Sequence, residues 1–159
     1  MRKNLNTYSG GCSCGEVRYS IFDIPIFTHA CHCSLCQRYT ASAFVVHSAI
    51  ETNNFSLVSG KLIDTSGPSG SGSMHRVYRC KTCFDQIYSH YNFVENNGVL
   101  ILKTTTLDNP NIFPPQAHIF LKNKLDWVKI DQDTPKFKGM YKREDVYSIE
   151  SLKRRRLVE

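Results

Sequence analysis

Seven cysteines in three short clusters constrain this chain more than any other feature. The clusters are Cys12-Ser13-Cys14, Cys31-His32-Cys33-Ser34-Leu35-Cys36 and Cys80-Lys81-Thr82-Cys83. Thiolates this close in sequence can share one metal ion without the entropy cost of a long loop, and zinc is the usual occupant of such sites. Seven is four plus three, which predicts one closed four-ligand site and one site with an open position.

The spacing within each cluster indicates how its sulfurs are presented. Two cysteines one residue apart on a strand share a face, and the two-residue spacing requires a tight knuckle turn. The clusters at 12–14 and 80–83 supply two ligands each, so together they would close a tetrahedron and join the first strands to the later sheet. This partition rests on counting, and two other pairings of the clusters would also make a four-ligand site.

The middle cluster is different because three sulfurs within six residues already fill one hemisphere around an ion. Its fourth position could be taken by water, a thiol substrate or a histidine. Two alternatives stay open: His29, His32 or another histidine closes the site, or Cys31 is buried and inert. On an extended strand His32 would point away from the flanking sulfurs, which favours a packing or supporting role over ligation.

Composition indicates a soluble globular protein. The chain has 159 residues, of which 41% are hydrophobic and 21% charged, so we expect a single domain over 1–159. No apolar run approaches the ~20 residues of a membrane span, and no apolar stretch follows the first residues, so we expect neither a membrane protein nor a secreted one. The expected compartment is the cytoplasm, with the nucleus as an alternative. In a reducing compartment clustered cysteines indicate metal binding rather than disulfides.

The expected fold class is mainly β, because β-branched and aromatic residues recur between Gly, Pro, Asn and Ser breaks. The predicted strands are Glu16–Phe22, Ala43–Ile50, Phe55–Val58, Met74–Arg79, Gln86–Val94, Val99–Thr106 and Ala117–Leu121. No helical period is sustained over twelve residues, and at best one helical turn follows Ser34, whose hydroxyl could cap it. The Gly/Ser-rich stretch 66–73 predicts a mobile loop, either a lid over a metal site or an inert insertion.

The net charge is +6, and its densest patch is Lys153-Arg154-Arg155-Arg156. Such a run could bind nucleic acid or an acidic protein partner, although a solvated terminus is the favoured interpretation. Apolar residues are sparse late in the chain. We therefore expect a basic, loosely packed tail over 129–159.

The three cysteine motifs resemble the glutathione-dependent formaldehyde-activating enzyme family, which also includes centromere protein V. The family pattern Gly-Cys-x-Cys-Gly-x-Val-Arg-Tyr stands here as Gly11–Tyr19, Cys-His-Cys-x-x-Cys as Cys31–Cys36, and Cys-x-x-Cys as Cys80–Cys83. The segments Thr106–Pro110 and Pro115–Phe120, with Trp127 after them, are similar to the closing part of the family domain. The resemblance covers roughly residues 8 to 128, which implies that the core of the single domain lies over that range.

This resemblance implies a structural zinc on Cys12, Cys14, Cys80 and Cys83 and a second, catalytic zinc on Cys31, Cys33 and Cys36. It also implies a β-tent fold, in which zinc pins antiparallel sheets at one end. The implied activity joins glutathione to formaldehyde to give S-hydroxymethylglutathione, a carbon–sulfur lyase reaction in reverse. Zinc could lower the pKa of a bound thiol or polarise the aldehyde oxygen.

The sequence departs from the family pattern at two places. Phe84 follows the last Cys-x-x-Cys where the family usually has glycine, which implies an altered knuckle or backbone strain. A family glycine after the middle cluster is also absent, and this chain reads Tyr39-Thr40-Ala41-Ser42 there. The second change could narrow the pocket, and both put glutathione itself in doubt.

Several side chains near the motifs are candidates for contact with a thiol substrate. Gln37 and Arg38 follow the last cysteine of the middle cluster, and Arg38 could pair with a carboxylate. His118 could face the site as an acid or base, whereas His47 and Trp127 are expected in the core. The alternative to an enzyme is a non-catalytic zinc module whose basic tail contacts nucleic acid or a protein partner.

Overall fold

The computed structural model describes residues 6–70, 72–91 and 98–159, and two β-sheets form the framework of this part of the chain. The strands are β1 Thr7–Gly11, β2 Arg18–Phe22, β3 Phe27–Cys31, β4 Val45–Glu51, β5 Phe55–Ser59, β6 Leu62–Pro68, β7 Met74–Cys80, β8 Gln86–Tyr91, β9 Val99–Lys103 and β10 His118–Ile119. The α-helices of these residues are α1, Ser34–Thr40, and α2, Ile149–Arg156. The predicted mainly-β class is confirmed.

The larger sheet has seven strands in the order β10-β3-β4-β9-β8-β7-β6, and the smaller has three in the order β1-β2-β5. Neighbouring strands run antiparallel, except that β10 pairs with β3 in parallel. Because β3 ends at Cys31 and β7 ends at Cys80, the sheet carries two of the three cysteine clusters at strand ends. Within the described residues, no helix is long and apolar enough to cross a membrane.

A shared hydrophobic core joins the two sheets. In β2 the alternation of polar and apolar residues places Tyr19 and Ile21 inward, as the sequence predicts for a half-buried strand. They pack against residues of the large sheet such as Ile50, Ile87 and Leu102, all nearly inaccessible to solvent. Each such side chain contributes roughly 1.5–3 kcal/mol by burial, so this core holds the sheets together.

Most predicted strands are present, with shifted ends. The strand predicted over Val99–Thr106 ends at Lys103, because residues 104–106 form a 3₁₀ turn. The strand predicted over Ala117–Leu121 shrinks to His118–Ile119, since Phe120 takes a left-handed backbone conformation with φ 56°. Positions 92–94 of the predicted strand Gln86–Val94 lie outside the described residues.

The helix after the middle cysteine cluster is longer than the single turn expected from the sequence. It runs over seven residues, and its N-cap is Cys33 rather than Ser34. The Cys33 sulfur accepts a hydrogen bond of 3.3 Å from the backbone N–H of Cys36. The cap therefore uses a candidate metal ligand in place of the predicted hydroxyl.

The prediction of a mobile loop over 66–73 is wrong for its first half. Ser66, Gly67 and Pro68 continue β6 in register with β7. Proline is tolerated there because β6 is an edge strand of the sheet and the missing N–H costs no ladder hydrogen bond. A turn follows, in which the Ser69 N–H donates to the Ser73 carbonyl at 2.8 Å, and the Tyr39 hydroxyl of α1 donates to the Pro68 carbonyl at 3.3 Å.

The expectation of loose packing after residue 128 is also wrong. The backbone of 135–139 runs beside β10, with the Phe137 N–H donating to the His118 carbonyl at 2.9 Å. Tyr141 and Tyr147 then pack on Phe27 of β3, with ring centroids 5.4 and 4.6 Å away. The segment has few apolar residues, but its aromatic rings each bury a large area, and that suffices to hold it.

Candidate metal centres and cavity

The structure brings Cys12, Cys14, Cys80 and Cys83 together, with all four sulfurs within 4.8 Å of one another. The Cys12 and Cys14 sulfurs are 3.4 Å apart, and those of Cys14 and Cys80 are 3.8 Å apart. Four thiolates at a Zn–S distance of about 2.3 Å around a tetrahedral ion stand about 3.8 Å from each other, so the group could hold zinc with little rearrangement. This is the pairing that joins the first strands to the β7–β8 turn.

Hydrogen bonds around this four-cysteine group support its two turns. The backbone N–H groups of Val17 and Thr82 donate to the Cys12 and Cys80 sulfurs at 3.2 and 3.3 Å. Burial of Cys12 acts to raise the pKa of its thiol, but hydrogen bonds, led by that from Val17, lower the pKa overall and favour the thiolate form that a metal requires. Ser13 donates to the Asp85 carboxylate from its hydroxyl and, at 2.6 Å, from its backbone N–H, and these hydrogen bonds lower the pKa of that carboxyl. The two turns therefore hold each other as well as the sulfurs.

Phe84 takes a left-handed backbone conformation, which costs a glycine less free energy because glycine has no β-carbon. Its φ is 63°, and its ring is 58% exposed. Its N–H donates to the Cys80 carbonyl at 3.1 Å, so the knuckle keeps its closing hydrogen bond. The departure seen in the sequence is therefore a matter of backbone strain and leaves the sulfur positions in place.

The second group consists of Cys31, Cys33 and Cys36, whose sulfurs also lie within 4.8 Å of one another. Cys31 comes from the end of β3, Cys33 caps α1, and Cys36 lies in its first turn. Hydrogen bonds from the thiols of Cys31 and Cys36 lower the pKa of Cys33. In the part of the chain that the structure describes, no histidine or carboxylate joins the three sulfurs, so this group could hold a metal ion with an open position.

A cavity of about 450 Å³ opens directly over the three-cysteine group, and all three cysteines line it. Its size is within the usual range for small-molecule sites. One wall is apolar and comes from the sheet, with Ala49, Val99, Ile101 and Ile119. Gly70 and Ser73 of the β6–β7 turn contribute to another side, so the turn does approach the candidate metal site.

A polar wall of the cavity adjoins the cysteines. The Nδ1 atom of His29 and the Tyr141 hydroxyl share a hydrogen bond of 2.9 Å, and both line the cavity with His47. Behind His47, the buried Lys103 ammonium lies 3.2 Å from its Nε2 and donates to Ser89 at 3.2 Å. Burial lowers the pKa of His29 to about 4 and that of Lys103 to about 8. The sequence places His47 in the core, and the structure adds that it faces the cavity.

The remaining wall comes from the segment after residue 139, which lies in the tail that was expected from the sequence to pack loosely. Met140, Tyr141, Arg143, Arg155 and Glu159 all line the cavity. The only sequence signal for this wall is its aromatic content, because nothing in the local pattern shows that α2 returns to β3. The family departure at residues 39–42 does not narrow the cavity, since those residues, all described, are not among its lining.

The side chains predicted to contact substrate lie elsewhere. The Gln37 amide donates to the carbonyls of His32 and Asn123, both at 2.8 Å, and so ties α1 to the segment after β10. Arg38 is exposed in the last turn of α1. His118 is buried in β10. The structure brings none of Gln37, Arg38 and His118 to the lining of the cavity.

His118 instead pairs with His32. Its Nδ1 atom is 3.0 Å from the Nε2 atom of His32, which is inaccessible to solvent. Burial lowers the pKa of both rings, that of His32 to about 4. The His32 ring packs against those of Phe44 and His118, with ring centroids 5.0 and 5.2 Å apart, and does not join the three-cysteine group.

Two further expectations concern the end of the chain. Trp127, expected in the core, is 71% exposed, and the neighbouring Val128 is buried in its place. The basic run 153–156 lies on α2 and is partly engaged within the domain. Arg154 makes two hydrogen bonds of 2.7 Å to Glu51, and Arg155 faces the cavity. The run is therefore not one continuous exposed patch for nucleic acid.

Comparison with known proteins shows which family the chain resembles. The profile of the family described as "Glutathione-dependent formaldehyde-activating enzyme" matches residues 7–123, which include both cysteine groups. The chain belongs to this family. A Halomonas elongata protein named "Putative glutathione-dependent formaldehyde-activating enzyme" is 25% identical over 138 residues, which span 77% of this chain and 80% of that protein. A solved structure of a Rhodobacter sphaeroides protein aligns with a TM-score of 0.47 at 16% identity, over 81% of this chain and 98% of that one.

Family membership supports a glutathione-related function, and the two sulfur groups are where a family member could hold metal ions. The family match ends at residue 123, so the wall formed by Tyr141, Arg143, Arg155 and Glu159 lies outside it. The candidate metal ligands therefore lie within the segment that matches the family, whereas part of the cavity lining comes from a segment beyond it.

Proposed function

We propose that the protein is a zinc enzyme of the S-(hydroxymethyl)glutathione synthase type, a carbon–sulfur lyase acting on the adduct of a small aldehyde with glutathione or a related thiol. The observation that carries the proposal is that three sulfurs within 4.8 Å of one another face a cavity of about 450 Å³. A purely structural site would have no reason to keep an open coordination position beside a cavity.

In this proposal Cys12, Cys14, Cys80 and Cys83 hold a structural zinc, and Cys31, Cys33 and Cys36 hold a second one. The donor sets fit, because zinc prefers thiolates and both groups consist of sulfur alone. When bound at the three-cysteine group, zinc would stabilise the thiolate of the substrate or polarise the aldehyde oxygen. Two ions per chain are therefore expected.

The reaction is an addition of the thiol to the aldehyde and needs no further reactant. The substrate sulfur bonds to the aldehyde carbon, the carbon–oxygen double bond becomes single, and the thiol proton ends on the oxygen. Tyr141 is the side chain suited to donate a hydrogen bond to the aldehyde oxygen. If Nδ1 of His29 donates to the Tyr141 oxygen, the tyrosine O–H is free to donate to the oxygen on which charge develops.

The apolar wall has a separate role. Val99, Ile101 and Ile119 displace water from the side of the cavity that faces the sheet. A drier cavity strengthens the hydrogen bond from Tyr141 and holds the aldehyde close to the sulfur. The family segment and the later wall would thus cooperate in one addition step.

The test measures the rate at which formaldehyde exchanges with S-hydroxymethylglutathione. This reaction also proceeds without protein, so magnetisation-transfer NMR is used to compare its rate at equilibrium with and without the protein. Zinc-loaded protein should raise the exchange rate above the uncatalysed one, and Cys33→Ser should abolish the increase. Ser34→Ala, at the exposed position beside it, should keep the full rate. An unchanged exchange rate in the presence of protein with both sulfur groups metal-loaded would rule the proposal out.

A further inference from the structure

Two arginines at the cavity are held by one carboxylate. Arg143 follows Lys142 in a 3₁₀ turn, Arg155 lies in α2, and both line the cavity together with the three cysteines. The side chain of Glu159 reaches back into this wall and accepts from Arg143 Nη1 and, at 3.1 Å, from Arg155 Nε. A carboxylate thus already occupies the space between two guanidinium groups that face a ligand-sized cavity.

Arg155 retains hydrogen-bonding capacity in this arrangement. Its side chain is only 18% exposed, and its Nη1 atom is buried without a hydrogen-bond partner among the described residues. Burying a charged donor without a partner is costly, so such groups usually await a ligand or water. The contact with Glu159 therefore leaves Arg155 incompletely satisfied.

The Glu159 contact is also readily exchanged. The Glu159 and Arg143 side chains are 39% and 41% exposed, and ion pairs in that environment contribute little net free energy. A carboxylate carried on a ligand that is anchored elsewhere in the cavity would compete at high effective concentration. It could then pair with the arginines in the bidentate manner that a guanidinium favours.

We propose that Arg143 and Arg155 form a carboxylate-binding subsite of the cavity and that Glu159 occupies it until a carboxylate-bearing thiol displaces it. The inference rests on the proposed function for the position of the thiol at the three-cysteine group. It adds the substrate class, an acidic thiol rather than a neutral one, and it makes Glu159 an internal competitor. The subsite lies beyond residue 123 and thus outside the family match.

Calorimetric titration of zinc-loaded protein tests this with two probes, reduced glutathione and its diethyl ester, in which both carboxylates are masked. Glu159→Gln should bind glutathione several-fold more tightly than the wild type and leave the affinity for the ester unchanged. Arg155→Met should weaken glutathione binding by about tenfold, the usual effect of losing a charged hydrogen bond. Arg155→Lys retains the charge and should recover part of the affinity.

Matched controls lie on the same helix. Glu150→Gln and Arg156→Met change exposed residues of α2 that do not line the cavity, and both should bind glutathione as the wild type does. Zinc content and circular dichroism show whether each variant is folded. If Arg155→Met does not fold, Glu159→Gln and Arg155→Lys still decide the outcome.

The outcomes separate the subsite from the proposed function. Glutathione binding that is equal in wild type, Glu159→Gln and Arg155→Lys would overturn the subsite while the proposed function stands. If neither glutathione nor its ester binds at millimolar concentration, the proposed function fails, and glutarate, a dicarboxylate without sulfur, becomes the probe. Glutarate binding that tightens in Glu159→Gln would then retain the subsite without the thiol, and no glutarate binding would overturn it.

Discussion

Gly70 lies so close to Cys33 that a β-carbon on the glycine would stand 2.7 Å from the Cys33 sulfur and 3.1 Å from its β-carbon. The tip of the β6–β7 hairpin therefore rests on a candidate zinc ligand with no room for a side chain. Since Cys33 also caps α1, a shift of its sulfur would disturb both the helix and the three-cysteine group. The hairpin and the candidate metal site are mechanically linked through this contact.

Gly70→Ala is accordingly expected to impair the three-cysteine site. The added methyl group must displace the sulfur or the hairpin, an overpacking that typically costs 1–3 kcal/mol. We expect the zinc content to fall from about two ions towards one, with lower thermal stability, as measured by elemental analysis and calorimetry. Gly139→Ala is the control, because a β-carbon there meets nothing within 4 Å. Full zinc content in Gly70→Ala would contradict the steric argument.

Loss of one cysteine should have different effects in the two groups. Cys80 is inaccessible to solvent and joins β7 to the turn that holds Cys12, so Cys80→Ser should lose a metal ion and much of the stability. Structural zinc binding is worth about 10 kcal/mol or more in small zinc peptides, and this free energy counts towards folding. Cys36→Ser should lose the other ion and keep the fold.

Urea denaturation with elemental analysis distinguishes the two variants. The expected result is one ion in each, with a low urea midpoint only for Cys80→Ser. Equal midpoints would mean that the four-cysteine group does not hold the sheets together.

Phe84→Gly should stabilise the protein. A left-handed backbone costs a residue with a β-carbon roughly 1–2 kcal/mol, and the mostly exposed ring of Phe84 offers little packing in return. The gain in free energy of unfolding should be about 1 kcal/mol in urea denaturation. Phe84→Ala serves as the control, since it removes the ring but keeps the backbone strain. If alanine stabilises as much as glycine, the ring rather than the backbone is the cause.

Because Lys103 is buried, we expect the free energy of unfolding to increase with pH. Burial lowers the pKa of its ammonium from 10.5 to about 8, so between these pH values the unfolded chain holds a proton that the folded protein has released. Stability therefore increases as pH rises through this window, by about 3 kcal/mol at most. Lys103→Met lacks this titration and should not gain that increment.

Urea denaturation of both proteins at pH values from 8 to 10.5 gives their free energies of unfolding. The quantity to follow with pH is the value for the wild type minus that for Lys103→Met. Contributions from the cysteines are common to both and largely cancel. Lys122→Met, at an exposed lysine, should leave the pH dependence of the wild type intact. A difference that stays flat across the window would show that Lys103 titrates normally.

The sequence predicts the three-cysteine group well because its geometry is local. In Cys31-x-Cys33-x-x-Cys36 a strand end and one helical turn place three sulfurs within reach of one ion, whatever the rest of the fold does. The β class follows from residue alternation for the same reason. Positions of strand ends are harder, because a turn such as 104–106 depends on packing that the local pattern does not contain.

The cavity wall could not be predicted from local pattern. Tyr141 reaches Phe27 across more than a hundred residues of chain, and a period or spacing carries no signal of such a contact. The same limit explains Trp127, which is apolar by type but mostly exposed, whereas the neighbouring Val128 is buried. Gln37 illustrates the converse, since proximity to a ligand in sequence did not place it in the cavity.

The division of labour along the chain has a consequence for how this protein could be altered. The seven cysteines proposed as metal ligands lie before residue 84, whereas Arg143, Arg155 and Glu159, which line the cavity beside the three-cysteine group, lie after residue 139. Substitutions at Arg143, Arg155 or Glu159 would therefore change which molecules bind in the cavity and leave both sulfur groups chemically unchanged. The last helix is thus a natural place for an engineer to redesign selectivity.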